Sequence, residues 1–101
     1  MNTEFKIIGN YPNYEIDSNG KVRNIKTQRE IKLITGANGY VVVNLSKDSL
    51  KRQHYVHRLV AKSWIENHEN KKVIDHIDGN KLNNSIINLR RVRWVTKSKW
   101  T

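Results

Sequence analysis

Apolar residues in this chain alternate with polar ones through most of its first half, and from Val56 one segment switches to helical spacing. A period of two puts successive side chains on opposite faces of a strand, whereas a period near 3.6 lines up one stripe on a helix. The switch points to an α+β fold, with a small antiparallel sheet followed by one helix. Tyr11-Pro12-Asn13-Tyr14 reads as a turn with aromatic anchors. Tyr14–Asp17 and Lys21–Ile25 flank Ser18-Asn19-Gly20, an Asn-Gly hairpin signature. A second hairpin is expected from Arg29–Leu33 through Gly36-Ala37-Asn38-Gly39 to Tyr40–Leu45. Residues 46–52 read as a polar loop and Gln53–Val56 as a further strand, giving one sheet of three or more strands. Val56, Leu59, Val60, Ser63 and Trp64 then mark a helix over 56–66, with Leu59, Val60 and Trp64 inward.

A chain of 101 residues holds one small core. The organisation expected is a sheet region over 1–52 and a second unit over 53–101, packed as one domain. Lys and Arg number 19 against 9 Asp and Glu, a formal charge of +10. So large a surplus on so small a surface favours a polyanionic partner, and nucleic acid leads. Nothing in the sequence looks like the basic amphipathic helix that a membrane surface requires, so no membrane partner is expected. From Lys81 onward come Arg90, Arg91, Arg93, Lys97 and Lys99 and no acid; Arg23, Lys26, Arg29 and Lys32 could add a stripe on the first sheet. The alternative in both places is a solvated basic face. With no cysteine, disulfides and thiolate metal sites are excluded. No apolar run reaches the roughly 18–20 residues of a membrane span, and the N-terminus has no signal-peptide apolar region, so the expected location is the cytoplasm.

The most informative stretch is Val73-Ile74-Asp75-His76-Ile77-Asp78-Gly79-Asn80, followed by Asn83-Asn84 and Asn88-Leu89-Arg90. A short strand over 73–76 delivers an adjacent Asp and His into an Asn-rich loop, and a second strand runs over 88–95. The carboxylate can hold a hard divalent cation, the imidazole can take a proton from water, and an asparagine can fix the ring. On its own an Asp-His pair is equally a polar pair beside a turn.

The whole string resembles the HNH homing endonucleases of phage and intron type, with His57-Arg58-Leu59-Val60-Ala61 matching the helix that precedes their core. Tyr14–Arg23 resembles the small NUMOD-like motif often found upstream. The resemblance implies an incomplete ββα-metal motif in which Asp75 binds Mg²⁺ or Mn²⁺. It implies that His76 is the general base and that Asn88 braces the loop and orients that base. It also implies DNA rather than RNA as partner, and a phage or mobile-element product acting in the bacterial cytoplasm.

The match departs from the family at the end. The family's third metal ligand, an Asn or His on a helix after Trp-Val-Thr, falls here on Trp100 or, in another alignment, Lys97, and neither binds a hard cation. With Thr101 last, the ββα unit is expected to lack most of its helix. Two functions follow: a metal-dependent DNA endonuclease or nickase with an incomplete metal site, or an inactive HNH-like domain. The inactive domain would bind nucleic acid or a nucleoprotein machine, as a phage-encoded inhibitor of a host nuclease would. His54 and His57, three apart, are expected to pack rather than ligate, His68 to face solvent, and Trp64 to join the core.

Overall fold

The computed structural model describes residues 3–67 and 69–93. Three strands form the first sheet: β1 (Phe5–Ile8), β2 (Tyr11–Asp17) and β3 (Val22–Asn24), antiparallel in that order. The β2–β3 hairpin is the one the Asn-Gly signature predicts, with Ile16 opposite Val22 and both buried. Its turn is tied by Asp17, whose Oδ1 accepts from the backbone N–H of Asn19 (2.9 Å) and Lys21 (2.8 Å). Gly20 occupies the left-handed region there at φ +92°. β1 was not expected, because Phe5-Lys6-Ile7-Ile8 does not alternate cleanly. A register shift between Ile7 and Ile8 lets the strand bury Ile8 while Ile7 stays exposed.

The second sheet holds β4 (Ile34–Thr35), β5 (Val41–Lys47) and β6 (Leu50–Tyr55), in that order. Two expectations are corrected here. The strand expected over Arg29–Leu33 does not form; Glu30 bridges Arg23 of the first sheet, and only Ile34 and Thr35 pair with β5. The polar loop expected over 46–52 is instead a continuous hairpin, with Ser46 opposite Lys51 and Lys47 opposite Leu50. Asp48 (φ 54°) and Ser49 (φ 66°) turn it, a two-residue bend that needs positive φ at both positions. The single expected sheet is therefore two sheets of three strands.

Helix α1 (Val56–Trp64) follows β6 without a gap and buries Val56, His57, Leu59, Val60 and Ala61. It ends two residues short of the expected 66, where Arg91 caps it: Nη2 donates to the Ala61 carbonyl (2.9 Å) and Nε to that of Ile65 (3.3 Å). Trp64 packs against the core, and its indole N–H donates to the Ile16 carbonyl at 3.1 Å. The last pair of strands, β7 (Val73–His76) and β8 (Leu89–Val92), is antiparallel, with Asp75 opposite Arg90 and His76 opposite Leu89. Asn88, expected to open β8, closes a 3₁₀ turn over Ile86–Asn88 just before it. The expected continuation of β8 to Val95 lies outside the described residues beyond Arg93.

One apolar cluster joins all the parts. Ile8, Ile16 and Val22 of the first sheet, Val43 and Leu45 of β5, Val56 and Val60 of α1, and Leu89 of β8 share it. The β7–β8 ribbon leans on this cluster through Ile74 and Leu89, and the 3₁₀ turn before β8 through Ile86, which fixes where the loop projects.

Candidate active site

His76 ends β7 and is buried, 7% exposed. Its Nε2 lies 2.8 Å from Asn84 Oδ1, and Asn84 is itself buried. A carbonyl oxygen can only accept, so Nε2 carries the proton in this pair, and of the two neutral tautomers the bond selects the one with its lone pair on Nδ1. That tautomer suits a general base acting through Nδ1.

Residues 77–85 form a loop whose shape is fixed by its own asparagines. Asn88 Oδ1 accepts from the Asp78 backbone N–H (3.0 Å), while its Nδ2 donates to Asp78 Oδ1 (2.8 Å) and to the Asn83 carbonyl (2.9 Å). The Asn88 carbonyl also accepts from the Ile77 N–H at 2.8 Å. Asp78 takes further bonds from the Asn80 N–H (2.7 Å) and Asn83 Nδ2 (3.0 Å). These bonds, the backbone one from Asn80 first, hold its carboxyl below the ordinary carboxylate range. Gly79 permits the bend at φ +77°. Asn88 thus ties the two ends of the loop together, while the ring of His76 is held by Asn84. Sequence reasoning noted the Asn83-Asn84 pair without giving Asn84 a role.

A second histidine stands behind the first. His57 of α1 lies 5.0 Å from His76, centroid to centroid, with Tyr40 at 5.2 Å and Tyr55 at 5.5 Å on its other sides. Burial, then the neighbouring His76 and Arg58, push its pKa down to about 4, so it is neutral at pH 7. His57, Tyr40, Tyr55, Arg58 and Lys72 line a cleft of about 280 Å³ against Val73 and Ile74. His54 packs edge-on against Tyr11 at 4.8 Å, and burial lowers its pKa too. Both histidines pack, as expected from the sequence. His68 lies outside the described residues.

Asp75 is buried opposite Arg90, whose Nε lies 2.8 Å from Oδ2. No group of three or more His, Cys, Asp or Glu that could hold a metal occurs among the described residues. A hard cation such as Mg²⁺ accepts one or two carboxylates when waters and substrate phosphates complete its shell. The donors present therefore fit an open site completed by substrate, not a closed protein cage. Trp100 and Lys97, the positions where the family's third ligand falls, lie outside the described residues.

The basic residues divide. Arg23 pairs with Glu15 and lies over the Phe5 ring, Arg91 caps α1, and Arg90 holds Asp75. Lys81 donates to the Asn38 carbonyl at 3.0 Å and sits 4.6 Å from the centre of the Tyr40 ring. Lys26, Arg29, Lys32 and Arg93 are exposed. Of the stripe expected from Arg23, Lys26, Arg29 and Lys32 on the first sheet, only Arg23 lies on a strand, because β3 ends at Asn24. Lys97 and Lys99 lie outside the described residues.

Comparison with known proteins places this geometry. An HNH endonuclease family profile matches residues 54–99, and a NUMOD4 motif profile matches residues 4–46. The DNA endonuclease I-HmuI of Bacillus phage SP01 is 39% identical over 95 residues, covering 93% of this chain and 53% of that protein. An uncharacterized HNH endonuclease of Acanthamoeba polyphaga mimivirus is 44% identical over 89 residues, 88% of this chain and 27% of that protein. The H-N-H endonuclease F-TflII of Escherichia phage T5 is 33% identical over 87 residues, 84% of this chain and 45% of that protein. The solved structure on DNA binding and cleavage by the HNH homing endonuclease I-HmuI superposes with a TM-score of 0.80 at 38% identity. It covers 95% of this chain and 54% of that one. The chain thus spans about half the length of I-HmuI and less of the other two relatives. With its NUMOD4 motif, its HNH profile and the fold of I-HmuI, the chain belongs to the HNH homing endonuclease family.

Proposed function

We propose that this chain is a metal-dependent DNA endonuclease or nickase unit with His76 as general base. The observation that carries the reading is the 2.8 Å bond from His76 Nε2 to Asn84 Oδ1, which leaves Nδ1 to take a proton from the attacking water. Asn84 keeps the ring in that tautomer and orientation through the reaction, and stabilises the imidazolium that forms. Asn88 acts one step back by fixing the loop that carries Asn84. Asp75 would hold Mg²⁺ or Mn²⁺, which when bound supplies electrostatic stabilisation at the scissile phosphate and the departing 3′ oxygen. Lys26, Arg29, Lys32, Lys81 and Arg93, with Lys97 and Lys99, would neutralise backbone phosphates. DNA is preferred over RNA because I-HmuI is a DNA endonuclease. The same kinship points to work in the cytoplasm of a bacterial host.

The test is nicking of supercoiled plasmid with Mg²⁺ or Mn²⁺. Wild type should nick, and Asp75→Ala and His76→Ala should not; equal nicking by wild type and both variants would reject the reading. One observation favours a second reading, an inactive HNH-like domain that binds nucleic acid or a nucleoprotein machine. Asp75 is engaged by Arg90, and no three-ligand cluster stands beside it among the described residues. Binding without cleavage at every metal concentration would select that reading.

A further inference from the structure

The register of the β7–β8 ribbon sets Asp75 directly across from Arg90. The guanidinium grips a single carboxylate oxygen from two nitrogens, since Nε and Nη2 each lie 2.8 Å from Oδ2. The Asp75 side chain is 8% exposed, whereas that of Arg90 is 41% exposed and faces outward enough to meet a second partner. One negative and one positive charge cancel at this position. Among the described residues no group of three or more His, Cys, Asp or Glu that could hold a metal adds to this carboxylate. A dication entering the free protein would meet a neutralised carboxylate and a guanidinium already at the oxygen it needs. Hard divalent cations tolerate so poor a protein shell only when substrate phosphates supply the missing negative oxygens.

We propose that Arg90 makes metal uptake conditional on DNA. In the free protein it neutralises Asp75 and keeps the affinity for the cation weak. When a DNA backbone arrives, the planar fork of the guanidinium exchanges the carboxylate for a phosphate, a partner it fits equally well. Asp75 Oδ2, released from Arg90, would then be available to hold the cation, and the phosphate would supply further oxygen donors. Metal and DNA therefore bind with positive and reciprocal coupling. Arg90 is a positioning residue in this scheme: it acts through Asp75 and not on the reacting atoms. The inference rests on the reading of Asp75 as metal ligand and of DNA as substrate.

The experiment measures Mn²⁺ binding by the electron paramagnetic resonance signal of free Mn²⁺. It uses the full chain alone and with a random-sequence duplex oligonucleotide checked on a gel for integrity. Wild type alone should bind weakly and tighten about tenfold or more with duplex, within the usual range of coupling between two sites. Arg90→Gln alone should already bind about tenfold more tightly than wild type alone, and should gain little from duplex. Arg90→Lys keeps the charge without the fork, so it should stay weak alone and tighten less with duplex than wild type. If Arg90→Gln alone binds no better than wild type alone, or worse, Arg90 supports the ligand instead of blocking it and the proposal falls. Asp75→Asn in the Arg90→Gln background separates the two levels. Loss of Mn²⁺ binding there supports both, whereas unchanged binding removes Asp75 as ligand and with it the reading on which this inference rests. Melting curves for each variant show that the comparison is between folded proteins.

Discussion

The imidazoles of His57 and His76 lie 5.0 Å apart, centroid to centroid, and tilt 60° to each other. His57 sits on the helix and His76 on the β7 strand, so this contact joins the two elements behind the proposed base. His57 Nδ1 is buried without a hydrogen-bond partner. Burial disfavours a charge there first, and the neighbouring His76 and Arg58 add to it, so its pKa falls to about 4.

Acid should therefore unfold this protein partly through His57. Its pKa is lowered on folding, so the unfolded state binds the extra proton. The stabilising contribution is complete above the ordinary histidine value of about 6.5 and is lost as pH falls from there toward about 4. Between pH 7 and pH 4 the loss should be on the order of 2 kcal/mol. Urea melts at several pH values, for wild type and His57→Phe, measure it; a variant with the same pH slope as wild type would contradict the assignment.

Asn84→Ala should leave the ring of His76 without its acceptor. We expect nicking to fall by about 10–100-fold, as for other residues that orient a working side chain. Nitrogen-15 NMR of His76 should change from the Nε2–H tautomer alone to a mixture of both. Asn84→Asp, which keeps an acceptor in place, should retain the Nε2–H tautomer.

Asn88→Ala should act on the loop as a whole. It removes three side-chain hydrogen bonds, those to the Asp78 N–H, Asp78 Oδ1 and the Asn83 carbonyl. A stability loss of about 2–3 kcal/mol is expected at roughly 1 kcal/mol for each bond. Amide exchange should quicken at Asp78 and Ile77 before it does in the sheets.

Gly20→Ala should be costly although Gly20 lies in the first hairpin. Its φ of +92° disfavours any side chain, and an added Cβ would come within 2.9 Å of Val56 Cγ1 and 3.5 Å of Asn84 Cβ. The combined strain is expected to lower stability by about 1–3 kcal/mol. Thermal unfolding should register it, and the Asn84 displacement should reduce nicking beyond what the lost stability explains.

Binding to DNA should be strongly salt dependent, given a formal charge of +10. About six phosphate contacts would reduce affinity roughly a thousandfold between 50 and 200 mM salt. Lys26→Ala and Arg29→Ala should each flatten the slope of log affinity against log salt, measured by fluorescence anisotropy, and an unchanged slope would place those side chains away from the backbone.

What the sequence revealed was set by local chemistry. The β2–β3 hairpin was legible because Asn19-Gly20 dictates a turn and Ile16 and Val22 share a face. The helix was legible from the spacing of Val56, Leu59, Val60 and Trp64. The β5–β6 hairpin was hidden because its turn uses Asp48 and Ser49 at positive φ, where glycine and asparagine are the usual signal. β1 was hidden because an irregular register, not alternation, buries Ile8. At the site, Asp75 and His76 were legible as neighbours on one strand. The Asn84–His76 and Asp75–Arg90 pairs were not, since they join residues 8 and 15 positions apart through the fold.

Recombination between relatives would meet an obstacle that the order of motifs along the chain conceals. The turn of the first hairpin is seated against the proposed active site: the Ile86 N–H donates to the Ser18 carbonyl at 2.8 Å, and Gly20 packs beneath Val56 and Asn84. A chimaera joined between the NUMOD4 and HNH segments would keep both motifs whole and still mismatch this seam. Exchange between lineages should then succeed only when the hairpin turn travels with the helix and loop it touches, so the heritable unit is the seam rather than either motif.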